Sequence, residues 1–194
     1  MSKIESGNAV GPLNPESLVR HIEQQTAAPV HLWDPPFCGE MDMLIAVDGT
    51  WYHQGQPIRR PAMVQLFSSV LKKEKGRYYL VTPVEKVGIQ VEDCPFVART
   101  LEVSGRNDSQ QLKFTLNTKE QITAGAEHMI TVREDPLSGE PHPLIHVRNG
   151  LNALISRNVF YQLVELAEHR ERSGVTSTFV RSNKHSFQLG SYQG

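Results

Sequence analysis

The stretch Asp42-Met-Leu-Ile-Ala-Val-Asp-Gly-Thr-Trp-Tyr-His53 reads as a β-hairpin. Asp48-Gly49 is a preferred pair for a two-residue type I′ turn, and apolar and aromatic residues flank it on both sides. Such a turn pairs Val47 with Thr50, Ala46 with Trp51, Ile45 with Tyr52 and Leu44 with His53. Strand side chains alternate, so Leu44, Ala46, Trp51 and His53 would share one face, with Asp42 diagonal to His53.

Upstream, Asn14-Pro15 is an N-cap and first-turn pair that opens a short helix carrying Leu18, Val19 and Ile22. Residues 30–36 read as an extended connector. Downstream, Pro61 opens an amphipathic helix with Met63, Leu66, Phe67, Val70 and Leu71 on its apolar stripe. The charged run 72–75 then reads as a solvated helix end stopped by Gly76. Strands are expected over 78–82, 87–92, 96–104 and 112–116, the last two joined by the turn cluster 105–108.

The second half begins with strands over 128–133 and 144–148 around a Pro/Gly-rich loop. A helix follows through Val159, Leu163, Leu166 and Ala167, starting between Leu151 and Asn158. A closing hairpin spans 175–180 and 186–189. Arg60-x-x-Met-Val-Gln-Leu-Phe67 matches Arg157-x-x-Phe-Tyr-Gln-Leu-Val164 in residue type, and each segment follows a hairpin and a glycine (Gly55, Gly150). That repeated order predicts a structural duplication. The predicted class is α+β: two similar roll-like antiparallel sheets, each packed around a helix. Residues 1–14 are read as a flexible N-terminus, 15–95 as the first domain and 96–194 as the second.

The 194 residues carry a formal net charge of −1, which disfavours a dedicated nucleic-acid binder. No apolar run reaches the roughly 18 residues of a membrane span, and the amino terminus has no signal-peptide pattern. Cys38 and Cys94 form no CxxC pair and read as reduced thiols, so a cytoplasmic location is expected.

Histidine is the first place to look for chemistry. His142 and His146 lie on a strand, where four residues span roughly 13 Å, too far for one metal ion. The hairpin register instead places His53 beside Trp51 and near Asp42, with Arg59 and Arg60 just along the chain. Guanidinium, imidazole and indole groups suit a small anionic or planar ligand. The plainer alternative makes Trp51 core, His53 a satisfied structural histidine and Arg60 a helix-start residue paired with an acid. Arg148 and Asn149 are the counterparts in the second half, so a shared site would lie at the seam between domains. Asp42 and His53 also form a candidate acid/base pair, with Cys38 nearby. There is no phosphate loop, dinucleotide fingerprint or nucleophile elbow, and no metal or cofactor is expected.

In combination, Cys38-Gly-Glu-Met-Asp-Met43, Asp48-Gly-Thr-Trp-Tyr-His53, Gly55-Gln-Pro-Ile-Arg59 and Leu80-Val-Thr-Pro-Val-Glu85 carry a family likeness. Val147-Arg-Asn-Gly-Leu-Asn-Ala-Leu-Ile-Ser-Arg157 continues it into the second half. The chain after about Pro15 resembles the bacterial domain-of-unknown-function family 1285. The resemblance implies a duplicated α+β architecture, a second half superficially like a pleckstrin-homology fold, and a bacterial cytosolic setting. It supplies no activity, cofactor or catalytic residue.

The expected function is a non-enzymatic binding module in signal transduction or regulation, with an anionic ligand or protein partner at the seam. Trp51, His53, Arg59, Arg60, Arg148 and Asn149 are its candidate contacts. The alternatives are an enzyme built on Asp42 and His53, or a plain protein-interaction scaffold. A homodimer is left open.

Overall fold

The computed structural model describes residues 30–136 and 138–193. The helix expected after Asn14-Pro15 and the N-terminal boundary at residue 14 lie outside them. A 3-10 turn at Val30–Leu32 occupies part of the expected connector, and the chain then enters the first of three sheets.

The first sheet contains β1 (Phe37–Ile45), β2 (Trp51–His53), β3 (Gln56–Pro57), β4 (Leu71–Glu74), β5 (Arg77–Val81) and β6 (Lys86–Val91). Helix α1 (Pro61–Ser69) connects β3 to β4. The second sheet contains β7 (Phe96–Ser104), β8 (Gln111–Leu116), β9 (Gln121–Thr123), β10 (Ile130–Glu134), β11 (Pro141–Arg148) and β12 (Leu151–Ile155). Helix α2 (Arg157–Glu165) then leads to a three-stranded sheet of β13 (Glu168–Arg172), β14 (Val175–Ser182) and β15 (His185–Gln193).

The strand orders reveal the duplication. The first sheet runs β3-β2-β1-β6-β5-β4 and the second β10-β11-β12-β7-β8-β9. Read from its first strand, the second sheet has the same order as the first. In each, the first and sixth strands pair parallel at the centre, β1 with β6 and β7 with β12, and every other pair is antiparallel. The sheets are therefore mixed rather than purely antiparallel. The helices are not equivalent: α1 lies between the third and fourth strands of its sheet, whereas α2 follows the sixth strand of its own. The matched Arg60 and Arg157 segments thus resemble each other without being copies in the fold.

The hairpin register differs by one residue from expectation. Ala46 N donates to Thr50 O at 2.9 Å and Gly49 N to Ala46 O at 2.8 Å. The loop is Val47-Asp48-Gly49, with Gly49 alone at positive φ (+79°), the form of a three-residue turn ending in a bulge. Ile45 pairs with Trp51 and Met43 with His53. A one-residue slip inverts every face. Met41, Met43, Ile45 and Trp51 consequently face the core, while Asp42 is exposed on the opposite side.

One further expectation changes. Residues 72–74 of the charged run end edge strand β4, which Lys75-Gly76, both at positive φ, turns back. Its charges sit on a strand edge, where they also discourage pairing with other chains. The second helix starts at Arg157, inside the expected range of 151–158, and residues 151–155 before it add strand β12, entered through the tight turn Asn149-Gly150.

One hydrophobic core runs through both halves. Trp51, Phe67 and Leu80 from the first join Phe96, Phe114, Leu151, Val159 and Leu163 from the second. The third sheet is tied on by Ser182, whose buried hydroxyl donates to Ala124 O (2.8 Å) and accepts from Leu112 N (3.0 Å).

Candidate functional site

The seam between the halves is stitched by polar side chains reaching for backbone. Asn117, in the turn after β8, donates through Nδ2 to Gly49 O at 2.8 Å and accepts from Val97 N at 3.0 Å. Arg99 on β7 donates to Asp48 O at 2.9 Å, and Gln65 on α1 donates to Thr118 O at 3.0 Å. The amide and hydroxyl of Thr50 hold the Asp48 carboxyl below its ordinary pKa, with Arg99 adding a smaller pull in the same direction.

Arg148 fastens the far end of the seam. Its Nη1 donates to both carboxylate oxygens of Glu120 (2.8 and 2.7 Å) and its Nη2 to Ser68 O (2.9 Å), while the guanidinium lies 5.1 Å from the Phe96 ring centre. Ser68 O belongs to the last turn of α1, where carbonyls lack helical partners and a cation is favoured.

Between these stitches lies a cleft of about 450 Å³. One wall carries Thr50, Trp51, Arg59, Pro61 and Gln65, and the other Arg99, Thr115, Asn117, Thr118 and Lys119. Among the described residues, every charged one lining it is positive: Arg59, Arg99 and Lys119. Neither Arg59 nor Lys119 has an ion-pair partner among the described residues. Trp51 Nε1 and Thr118 Oγ1 are buried with no hydrogen-bond partner. A second compartment of about 480 Å³ shares Gln65, Thr118 and Lys119 with the first and continues past Ser69 and Glu120 to Arg148.

Of the residues singled out from sequence, Trp51 and Arg59 line the first compartment and Arg148 the second. His53, Arg60 and Asn149 line neither. His53 faces Met43 across the ladder. Arg60 precedes α1, its carbonyl accepting from Met63 N at 3.1 Å. Asn149 is a turn residue at φ +45°. Asp42 and His53 project from opposite faces of the hairpin, which corrects the acid/base pairing drawn from the two-residue turn. Trp51 is 1% exposed and stacks on Phe67 with centroids 6.2 Å apart, so it has no free ring face.

Arg99, Asn117, Thr118 and Lys119 were not singled out from sequence. Their usable signals are the outward position of Arg99 on β7 and the turn composition at 117–119. Neither signal shows that this end of the second sheet meets the Asp48-Gly49 loop.

The remaining nucleophile and metal candidates are dispersed. Burial, reinforced by Asp93, pushes the Cys94 thiol up to about 12. Cys38 Sγ donates to Pro36 O at 3.4 Å. His142 Nε2 donates to Asp93 Oδ2 at 2.9 Å, and His146 Nδ1 to Glu127 O at 2.8 Å. No group of three or more His, Cys, Asp or Glu that could hold a metal occurs among the described residues. No helix among them is long and apolar enough to cross a membrane.

Two family descriptions match in tandem: "Domain of unknown function (DUF1285), N-terminal domain" over residues 28–94 and "Protein of unknown function (DUF1285), C-terminal domain" over 95–189. Comparison with curated proteins gives no match. The crystal structure of a DUF1285 family protein from Silicibacter pomeroyi DSS-3 is 50% identical, with TM-score 0.78, covering 89% of this chain and 93% of that one. A DUF1285 family protein from Shewanella baltica OS155 is 23% identical, with TM-score 0.51, covering 64% of this chain and 91% of that one; it supports the fold alone. With both domain models matched in order and 50% identity to a solved relative over 89% of its length, the chain belongs to the DUF1285 family.

Proposed function

We propose that the chain is a non-enzymatic binding module that takes a small anionic ligand in the cleft between its domains, and that it serves signal transduction or regulation in a bacterial cytoplasm. The observation that carries this reading is the charge of the lining: Arg59, Arg99 and Lys119, with no carboxylate among them. Cations of one sign in a concave wall focus the field and raise the local concentration of anions. Arginine adds a planar fork suited to phosphate or carboxylate. The amino end of α1, at Pro61, opens on the same cleft and adds the positive end of a helix dipole. The pleckstrin-homology likeness of the second half belongs to the same proposal; it rests on one helix following the last strand of a six-stranded sheet.

The test is a thermal-shift panel of nucleotides, cyclic dinucleotides, sugar phosphates and inorganic phosphate, run on the native chain and on Arg59→Ala/Lys119→Ala. A ligand at a hundred times its Kd adds about 2.7 kcal/mol to stability. At least one anion is expected to raise the Tm of the native chain and not that of the variant. A flat panel, or equal shifts in both proteins, would overturn the reading.

A second reading, a protein-interaction scaffold, draws on α2, where Tyr161 and Val164 are 56% and 41% exposed, one turn apart on the helix surface. Its test is whether Tyr161→Ala/Val164→Ser alters self-association in sedimentation velocity.

A further inference from the structure

We infer that the ligand of the seam is a phosphorylated sugar or polyol, its phosphoryl group held by Arg59, Arg99 and Lys119 and its hydroxyls directed into the second compartment. This inference rests on the anion-site reading and narrows it.

The first ground is the lack of a stacking surface. Among the described residues, Trp51 is the only aromatic one lining either compartment, and its ring is committed to Phe67. Sites for nucleobases that do not read sequence rely on open ring faces. A nucleotide in this cleft would place its base against the aliphatic edges of Ile58, Pro61, Val64 and Leu116, with no open aromatic face to stack on.

The second ground is the chemistry of the continuation. The two compartments meet at Gln65, Thr118 and Lys119, and beyond that boundary lie Ser69 and Glu120. Ser69 Oγ donates to Leu66 O at 2.6 Å and keeps its acceptor lone pairs. Each Glu120 oxygen accepts one bond from Arg148 and retains further acceptor capacity. A sugar hydroxyl both donates and accepts, and this row of hydroxyl, amide and carboxylate groups serves both functions. Thr118 Oγ1, buried and unpartnered at the boundary, is the group most in need of such a partner.

The third ground is size. An inorganic phosphate leaves the second compartment unused, whereas the two spaces of about 450 and 480 Å³ fall within the range of small-molecule sites.

Isothermal titration of the full chain with ribose 5-phosphate, adenosine monophosphate, inorganic phosphate and free ribose tests the assignment. Ribose 5-phosphate is expected to bind at least about tenfold more tightly than any of the other three, tenfold being about 1.4 kcal/mol. Ser69→Ala, which touches only the second compartment, should reduce that advantage while leaving inorganic phosphate binding unchanged, and Thr118→Val should reduce it as well. Ser69 is exposed, so Ser69→Ala decides the matter if Thr118→Val lowers the Tm. Equal affinity for ribose 5-phosphate and inorganic phosphate, or tighter binding of the mononucleotide, overturns the sugar assignment and leaves the anion site standing. Failure of every phosphate compound to bind overturns both.

Discussion

Asn117 Nδ2 donates to the Gly49 carbonyl at 2.8 Å, and a Cβ built on Gly49 would stand 2.6 Å from that same nitrogen. Gly49 is also at φ +79°. A side chain here would displace the Asn117 amide from the bond that joins the first hairpin to the second sheet.

Gly49→Ala should destabilise the chain by about 1–3 kcal/mol, combining left-handed backbone strain with the clash. Asn117→Ala removes the clash along with two hydrogen bonds. The double variant should therefore cost less than the sum of the single changes, by about 1 kcal/mol. Urea denaturation of the four proteins measures the coupling. Strict additivity would mean that the two residues do not meet in solution.

Acid and alkali should each weaken one ion-pair cluster. Lys72 and Lys86 hold the Glu74 carboxyl below the usual carboxylate range, and Glu74 holds the Lys86 ammonium above the usual lysine range. A depressed carboxyl contributes stability that is present above its unfolded pKa and lost as pH falls through the folded one. A raised ammonium contributes stability that is present below its unfolded pKa and lost as pH rises through the folded one. Glu74→Gln should lower the urea midpoint across the plateau between those limits and flatten both flanks. An unchanged profile would show the cluster to be energetically silent.

The two cysteines should differ in reactivity. With its thiol at about 12 and buried, Cys94 is protonated and shielded at pH 8. Titration with an aromatic disulfide should count one thiol per native chain, Cys38, and two in guanidinium. Rapid reaction of both in the native state would contradict the burial of Cys94.

What the sequence disclosed follows the range of the interactions involved. Local signals located the first hairpin, α1 and most strands of both halves. Turn length was less legible: Asp48-Gly49 suits a two-residue turn, yet contacts with Asn117 and Arg99 accompany a three-residue one, and that single residue moved Asp42 away from His53. Residues 151–155 do alternate apolar and polar, but Leu, Ala and Ile also suit a helix start. At the seam, Trp51 and Arg59 were visible through their hairpin, and Arg148 through the apparent repeat. Arg99 and Lys119 join them only because one end of the second sheet meets the Asp48-Gly49 loop and α1, which no short pattern encodes.

The central parallel pair of each sheet has a kinetic consequence. Ile45 cannot meet Val91, nor Phe96 meet Ala153, until everything between them has been laid down. Neither sheet can zip from one end as a simple meander does, because its middle joins last in chain order. Closing such long loops before any reward is gained slows folding. On a ribosome, β1 waits with an open inner edge until β6 emerges, and β7 then waits for β12. Each six-stranded sheet thus completes itself with its sixth strand, and the first can close before synthesis of the second is finished.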